Sequence, residues 1–330
     1  EWTNPQKIAI GSDWFVNWAD FPTHAISGDQ VLTSYLKKSA SGIYTYDVFL
    51  SLQKLSGEKV KEDFILNTDG FKAEHGFVSI VAKDDEGFLI TWLDGRNTVE
   101  KDDEGNHKPM TVRFAEITNA GDIINEVELD ASVCDCCQTS ITNTDKGPLV
   151  VYRNRTKEEV RDIYVTRNID DKWETPASVH NDGWVIYGCP VNGPKVVSSA
   201  NNVAVSWFTV YEGKPRVNIS FSKSYGSSFD APIQINDHNA IGRVDVVYLN
   251  DKEVLVSYME GDDFDTYLRL KKVSMDGKVS EPITISKIDS GRNTGVPQLE
   301  ILNDEVFIVW TVFEDENNQL KTVKLSSKNI

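Results

Sequence analysis

VAVSW, residues 203–207, is an apolar run that closes on an aromatic, and it is one of six such runs. The others are VLTSY (31–35), FLITW (88–92), PLVVY (148–152), VLVSY (254–258) and VFIVW (306–310). Their closing aromatics, Tyr35, Trp92, Tyr152, Trp207, Tyr258 and Trp310, follow one another at steps of 57, 60, 55, 51 and 52 residues. Each run is short, rich in β-branched residues and bounded by Gly, Asn or Asp, and helical spacing is nearly absent, so the elements are strands. A period near fifty leaves room for about four strands per repeat, which is one propeller blade, a sheet that cannot bury its faces alone. The expectation is an all-β, six-bladed β-propeller forming a single domain over residues 1–330.

A second recurrence marks the turn into each outermost strand: a large apolar residue, two spacers, then proline. It runs from Trp173 to Pro176, from Phe229 to Pro232 and from Val279 to Pro282. Proline at the first residue of a strand costs no ladder hydrogen bond. The same pattern opens the chain, with Trp2-Thr3-Asn4-Pro5 followed by QKIAI (6–10), whereas the last repeat stops at LKTVKLSSKNI (320–330) after its third strand. The N-terminal strand is therefore expected to complete the sixth blade and remove its open edge.

Two stretches, SKSYGSSF (222–229) and TRNIDDKW (166–173), place a hydroxyl seven residues ahead of an aromatic. They resemble the Asp-box, Ser-x-Asp-x-Gly-x-x-Trp, of the sialidase (neuraminidase, BNR-repeat) superfamily. Ser222, Gly226 and Phe229 match, with Ser224 in place of the Asp; in the other copy Asn168 replaces the Asp and Asp170 the Gly. The resemblance implies a six-bladed propeller. It further implies an arginine triad for a substrate carboxylate, a Tyr nucleophile activated by a Glu, and an Asp acid/base, with no cofactor required. Arg153 or Arg161, Arg243 and Arg292 look like that triad. The chain departs from the family in lacking an RIP motif before the first blade, and RNTGVPQL (292–299) has no tyrosine where the nucleophile would stand.

Charge narrows the partners. Thirty-four Lys and Arg against 51 Asp and Glu leave a net charge of −17, which repels nucleic acid and anionic membrane surfaces. No apolar run approaches the ~20 residues of a membrane span, and EWTNPQKIAI lacks a signal-peptide pattern, so the expectation is a monomeric periplasmic or extracellular protein whose signal has been removed. Acidic runs such as KDDEGNH (101–107) and EDENNQ (314–319) read as solvated hairpin tips.

In a propeller, the segment before each inner strand and the loop after each second strand share one rim, where ligands bind. Glu74, Asp94, Asp135 and Asp162 are the candidate acid/base groups there, with His75 a general base or a satisfied histidine. Arg96, Arg153, Arg161, Arg243 and Arg292 form a candidate clamp for an anionic carbohydrate, the alternative being pairing with the acids beside them. Trp14 and Trp184 either stack on a sugar or pack between blades, and Asn17 and Asn192 add polar contacts.

Three of the four cysteines fall in ASVCDCCQTS (131–140) and the fourth in YGCPVNGP (187–194). By the repeat, Cys134 and Cys189 stand at equivalent positions of adjacent blades. In an extended segment Cys134 and Cys136 point one way and Cys137 the other, and one of them reaches Cys189. Disulfides, a Cu or Zn site made by Cys134, Cys136, Cys137 and Cys189 beside His75, and a reactive thiol are all written in these letters. A Cys136–Cys137 bridge would be strained. The leading expectation is a sialidase-like propeller that binds an anionic carbohydrate, with hydrolysis as a further step. Its rivals are a non-catalytic exported binding protein with a cysteine metal site, and a scaffold with two disulfides.

Overall fold

The computed structural model describes residues 4–84, 86–262 and 264–330. Its strands form six antiparallel sheets, each made by consecutive segments of chain, and these are the blades of a six-bladed β-propeller as the repeat predicts. Two compact units divide the chain, Glu1–Asp135 and Cys136–Ile330. The first unit holds blade one (Thr23–Ser27, Gln30–Lys38, Tyr46–Lys54, Lys59–Ile65) and blade two (His75–Ala82, Gly87–Asp94, Met110–Thr118, Ile123–Val133). The second unit holds the other four. Blade three comprises Ser140–Thr144, Gly147–Arg153 and Ile163–Ile169, with an outer edge divided between Lys172–Trp173 and Ala177–Ser178. Blade four comprises Lys195–Ser199, Asn202–Tyr211, Lys214–Ser222 and Ile233–Gln234; blade five, Asn239–Asn250, Glu253–Gly261, Thr266–Ser274 and Ile283–Ile288. Blade six has three strands, Gln298–Leu302, Glu305–Glu314 and Asn317–Ser326.

The recurring apolar runs are the second strands, buried most completely in blades two to five, while in blade six buried and partly exposed residues alternate. Gly87–Asp94 is buried at every position, and the closing aromatics are all buried. Trp92 and Trp207 each find an acceptor for the indole N–H, in Asp94 Oδ2 at 2.9 Å and Asp182 Oδ2 at 2.7 Å, so their bulk fills the core without an orphaned donor. Pro176, Pro232 and Pro282 each stand directly before an outer strand. The acidic runs do form hairpin tips. Asp315 and Glu316 both take positive φ between two paired strands, the conformation of a two-residue turn that matches strand twist.

The closure by the N-terminus requires correction. Trp2 and Thr3 of the expected strand lie outside the described residues, but residues 4–10 form no strand. They lie along blade one instead, where Gln6 Nε2 donates to Leu55 O and Lys59 Nζ donates to Ile8 O. Among the described residues no fourth strand pairs with Asn317–Ser326, which carries Lys321 and Lys324, and charged edges of this kind disfavour an added strand.

One device recurs at the inner strands. In blade two the pairing of His75–Ala82 slips between Gly76 and Ser79, and Phe77 is driven to φ 53°. This β-bulge turns the Phe77 N–H toward Asp20, whose Oδ1 accepts it at 2.8 Å. Gly76 is required by the approach, because a Cβ there would lie 2.0 Å from Asp20 Oδ2. Blade five repeats the arrangement: the pairing slips between Gly242 and Asp245, Arg243 has φ 50°, and its N–H donates to Asn192 Oδ1 at 2.7 Å. Asp20 and Asn192 each stand three residues before an inner strand. The same structural task is thus done once by a carboxyl and once by a neutral amide. Asp20 is 3% exposed, and burial pushes its pKa from 3.8 up to about 7, against the Phe77 and Tyr46 hydrogen bonds that lower it.

Two outcomes are expected from this packing. Leu50→Ala, in the core of the first unit, lowers stability by about 2–5 kcal/mol, whereas Leu320→Ala on the exposed edge changes it by less than about 0.5 kcal/mol, both read by urea denaturation. Asp20 binds its proton more tightly folded than unfolded. Its proton-linked stability is therefore complete below pH 3.8 and is lost as pH rises through about 7, by up to about 1.4 kcal/mol per pH unit. Asp20→Asn keeps the acceptor and removes this dependence, so its melting temperature relative to wild type rises from pH 5 to pH 8. A constant difference across that range overturns the assignment.

Candidate functional site

Tyr46 opens the strand Tyr46–Lys54, stacks on Phe15 with ring centroids 3.9 Å apart, and is 1% exposed. Its hydroxyl lies 2.7 Å from Glu74 Oε1 and 3.1 Å from Asp20 Oδ2. One phenolic proton serves only one of these contacts. Both are satisfied when the second carboxyl carries its own proton and donates to the tyrosine oxygen. The electrostatics agree, since Glu74 is also pushed up to about 7, chiefly by burial and further by the charge of Asp135, with the Tyr46 bond opposing. Asp20 is sealed in, whereas Glu74 is mostly buried but keeps some exposure. The cluster therefore holds a proton near neutrality and presents it through Glu74.

Beside it lies an ion network. His75, fully buried, has Nε2 3.1 Å from Asp69 Oδ2 and Nδ1 3.2 Å from the carbonyl of Tyr46, with Asp47 and Asp94 oxygens at 3.5 and 3.7 Å. Arg96 donates to both oxygens of Asp94 at 2.8 Å and reaches Glu126 at 3.0 Å and Asp69 at 3.3 Å. Burial raises the Asp94 pKa, but Arg96 and His75 outweigh it and leave the carboxyl below its usual range. Ligand atoms of Asp69, His75 and Asp94 lie within 4.8 Å of one another, the reach of a metal set. The Arg96 guanidinium already occupies the two aspartates, so a divalent ion would have to displace a bidentate partner. His75 and Asp94 thus belong to an internal network.

In the second unit the arginines have internal partners. Arg153 is 1% exposed and donates to the carbonyls of Arg161, Asn192 and Phe208 at 2.6–3.2 Å, with its guanidinium over the Trp184 ring at 4.9 Å. It ties together three chain segments. Arg161 and Arg155 share Glu159, at 2.5 and 2.8 Å. Arg243 donates to Gly295 O at 2.8 Å and Ser290 O at 3.4 Å, and burial lowers its pKa to about 10. Asp162 accepts the N–H groups of Gly183 and Trp184, and burial raises its pKa. Trp184 packs edge-on against Phe208 at 5.5 Å. In the first unit Trp14 packs against Tyr35 and donates to Gly11 O, and Asn17 Oδ1 accepts the Ala19 N–H. Arg292 stands exposed on a short 3-10 turn.

The disulfide and extended-backbone expectations for the cysteines need correction. None of the four is in a disulfide. The segment is a turn rather than an extended strand, and the Sγ atoms of Cys134, Cys136 and Cys137 lie within 4.8 Å of one another. Among the described residues that group includes neither Cys189, which is exposed, nor His75.

Asp20 and Tyr46 carried no expectation from the sequence. A signal was present: ADFP (19–22) and VNGP (191–194) align Asp20 with Asn192, each two residues before a proline that leads into an inner strand.

No family model and no curated protein matches the chain. Among solved structures it is similar to the Hadza microbial sialidase Hz136 (TM-score 0.55, 11% identity, 94% of this chain and 66% of that one). It is also similar to Trypanosoma rangeli sialidase in complex with sialic acid (0.52, 10%, 93% and 54%). A third is Penicillium chrysogenum alpha-L-arabinanase complexed with arabinobiose (0.57, 10%, 96% and 96%). The chain thus spans less than two thirds of the length of the two sialidases. At these identities the likeness shows the fold, a six-bladed propeller shared with sialidases and arabinanases.

Proposed function

We propose that the chain is a glycoside hydrolase whose general acid is Glu74, with Asp135 as the second carboxylate and the Asp20–Tyr46 pair holding the Glu74 proton in place. The observation that carries this reading is a partly buried carboxyl, 2.7 Å from the Tyr46 hydroxyl, whose pKa burial pushes up to about 7. A glycosidic oxygen leaves as an alcohol only if it is protonated as the bond breaks, and the reaction needs a second carboxyl to stabilise or attack the anomeric carbon. Asp135 lies close enough to act on Glu74 electrostatically. Two solved neighbours are described with sugars bound, sialic acid in one and arabinobiose in the other.

A neutral sugar is favoured over an anionic one. Arg96, Arg153, Arg161 and Arg243 are turned to carbonyls and carboxylates of the protein itself, and the surroundings of Glu74 are acidic, so a substrate carboxylate would meet repulsion there.

The test is a panel of α-L-arabinofuranosides and α-sialosides, each offered as an aryl glycoside and as an unactivated disaccharide. Hydrolysis of the neutral set is expected, with kcat/KM falling as pH rises through about 7 and Glu74 loses its proton. Glu74→Gln is expected to lower kcat by about 10²–10⁴-fold on the disaccharide and by less on the aryl glycoside, whose leaving group needs little protonation. Inactivity across the panel, or activity that survives Glu74→Gln, removes the reading; cleavage confined to sialosides overturns the neutral-sugar part.

A further inference from the structure

The turn at residues 134–137 does something the proposed hydrolysis does not use. It gathers three thiols on one short piece of backbone, with ligand atoms within 4.8 Å of one another, and two of the three side chains, Cys134 and Cys137, are 1% and 2% exposed. Cys136 is half-exposed and supplies a path from solvent. The contact is local to four residues, so it is made by the turn itself.

Three sulfurs are an odd set for disulfide chemistry. Any bridge leaves one thiol over, and the adjacent pair Cys136–Cys137 meets the strain of neighbouring α-carbons only ~3.8 Å apart. Three sulfurs are a complete set for a soft cation that accepts trigonal coordination. Zinc in a structural site takes four ligands, whereas among the described residues the group of His, Cys and acidic side chains numbers three: Cys189 is outside it and His75 is held by Asp69. Thiolates prefer Cu(I) among the biologically common soft ions, and Cu(I), with a filled d shell, is content with three.

We propose that Cys134, Cys136 and Cys137 form a trigonal all-sulfur site for one Cu(I) ion. In the sequence the carboxyl of Asp135 stands between the first two ligands, which suits a cation. Because the ligands bind as thiolates, loading releases protons and affinity falls as pH falls.

The experiment titrates reduced, full-length protein with Cu(I) held by a bathocuproine competitor, under anaerobic conditions. One equivalent of copper is expected to move to the protein, with an X-ray absorption spectrum of three sulfur scatterers, a higher melting temperature on loading and weaker binding at pH 5.5 than at pH 7.5. Cys136→Ser is chosen because that side chain is half-exposed; it should retain the wild-type circular dichroism spectrum and lose copper binding at least 100-fold. Cys189→Ser should bind like wild type. No copper transfer, stoichiometric Zn(II) binding in place of Cu(I), copper binding that survives Cys136→Ser, or loss of binding in Cys189→Ser each overturns the assignment. A Cys136→Ser protein that fails to fold is replaced by the absorption spectrum of wild type, where any ligand count other than three sulfurs is decisive. None of these readouts depends on hydrolysis, so copper binding and the glycosidase reading stand or fall separately.

Discussion

The bond from a bulged inner strand to a side-chain acceptor on the preceding loop is the constraint on which the rest depends. A bulge leaves a backbone N–H facing out of the ladder, and an N–H buried without an acceptor costs about 1–3 kcal/mol. Asp20 and Asn192 remove that cost at Phe77 and Arg243, and in doing so they fix how each inner strand begins. In the first unit the strand so anchored starts at His75, directly after Glu74. The position of the candidate acid, its approach to Tyr46 and the burial that holds its proton all follow from where that strand is pinned. The choice of a carboxyl at Asp20 is more than structural, because Asn192 shows that an amide suffices for the bond. What the carboxyl adds is a second titrating group on the same tyrosine hydroxyl.

Burial also decides the fate of the arginines. Arg153 and Arg243 lie deep in the second unit and spend their donors on backbone carbonyls that regular pairing leaves over. A guanidinium is well suited to this, with five donors in a rigid fork able to satisfy several carbonyls at once. Sequence proximity to Asp or Glu signalled pairing correctly for Arg96 and Arg161, but Arg153 also bonds the carbonyls of Asn192 and Phe208, 39 and 55 residues on, and Arg243 those of Ser290 and Gly295, 47 and 52 residues on, partners that leave no trace in local letters.

The same distinction governs how much of the molecule was legible. Strand runs ending in a buried aromatic repeat because each blade must fill the same interior, so six occurrences announced six sheets. Proline at the start of the outer strands was legible because the missing N–H has a fixed meaning there. The closure failed because an edge strand is read from what pairs with it, and the lysines of 321 and 324 argued against pairing more strongly than the Trp-x-x-Pro pattern argued for it. The orientation of the thiols was misread because extended and turned backbone share one sequence, and only the turn brings Cys137 round to Cys134 and Cys136. Glu74 was found from its place in the repeat. Tyr46 was not, since a tyrosine at the start of a third strand looks like core until the carboxyls on either side of its hydroxyl are seen.

The last strand of the sixth blade, which has no further partner strand among the described residues, bears on how the protein behaves at high concentration. With 51 acidic residues the molecule is strongly anionic at neutral pH and its copies repel one another. On acidification that shield is titrated away, while the ammonium groups of Lys321 and Lys324 persist on this strand. The lysines of that strand thus outlast the carboxylates, and below the isoelectric point, where the 34 Lys and Arg are no longer balanced, they become part of a molecule-wide positive charge that again holds copies apart.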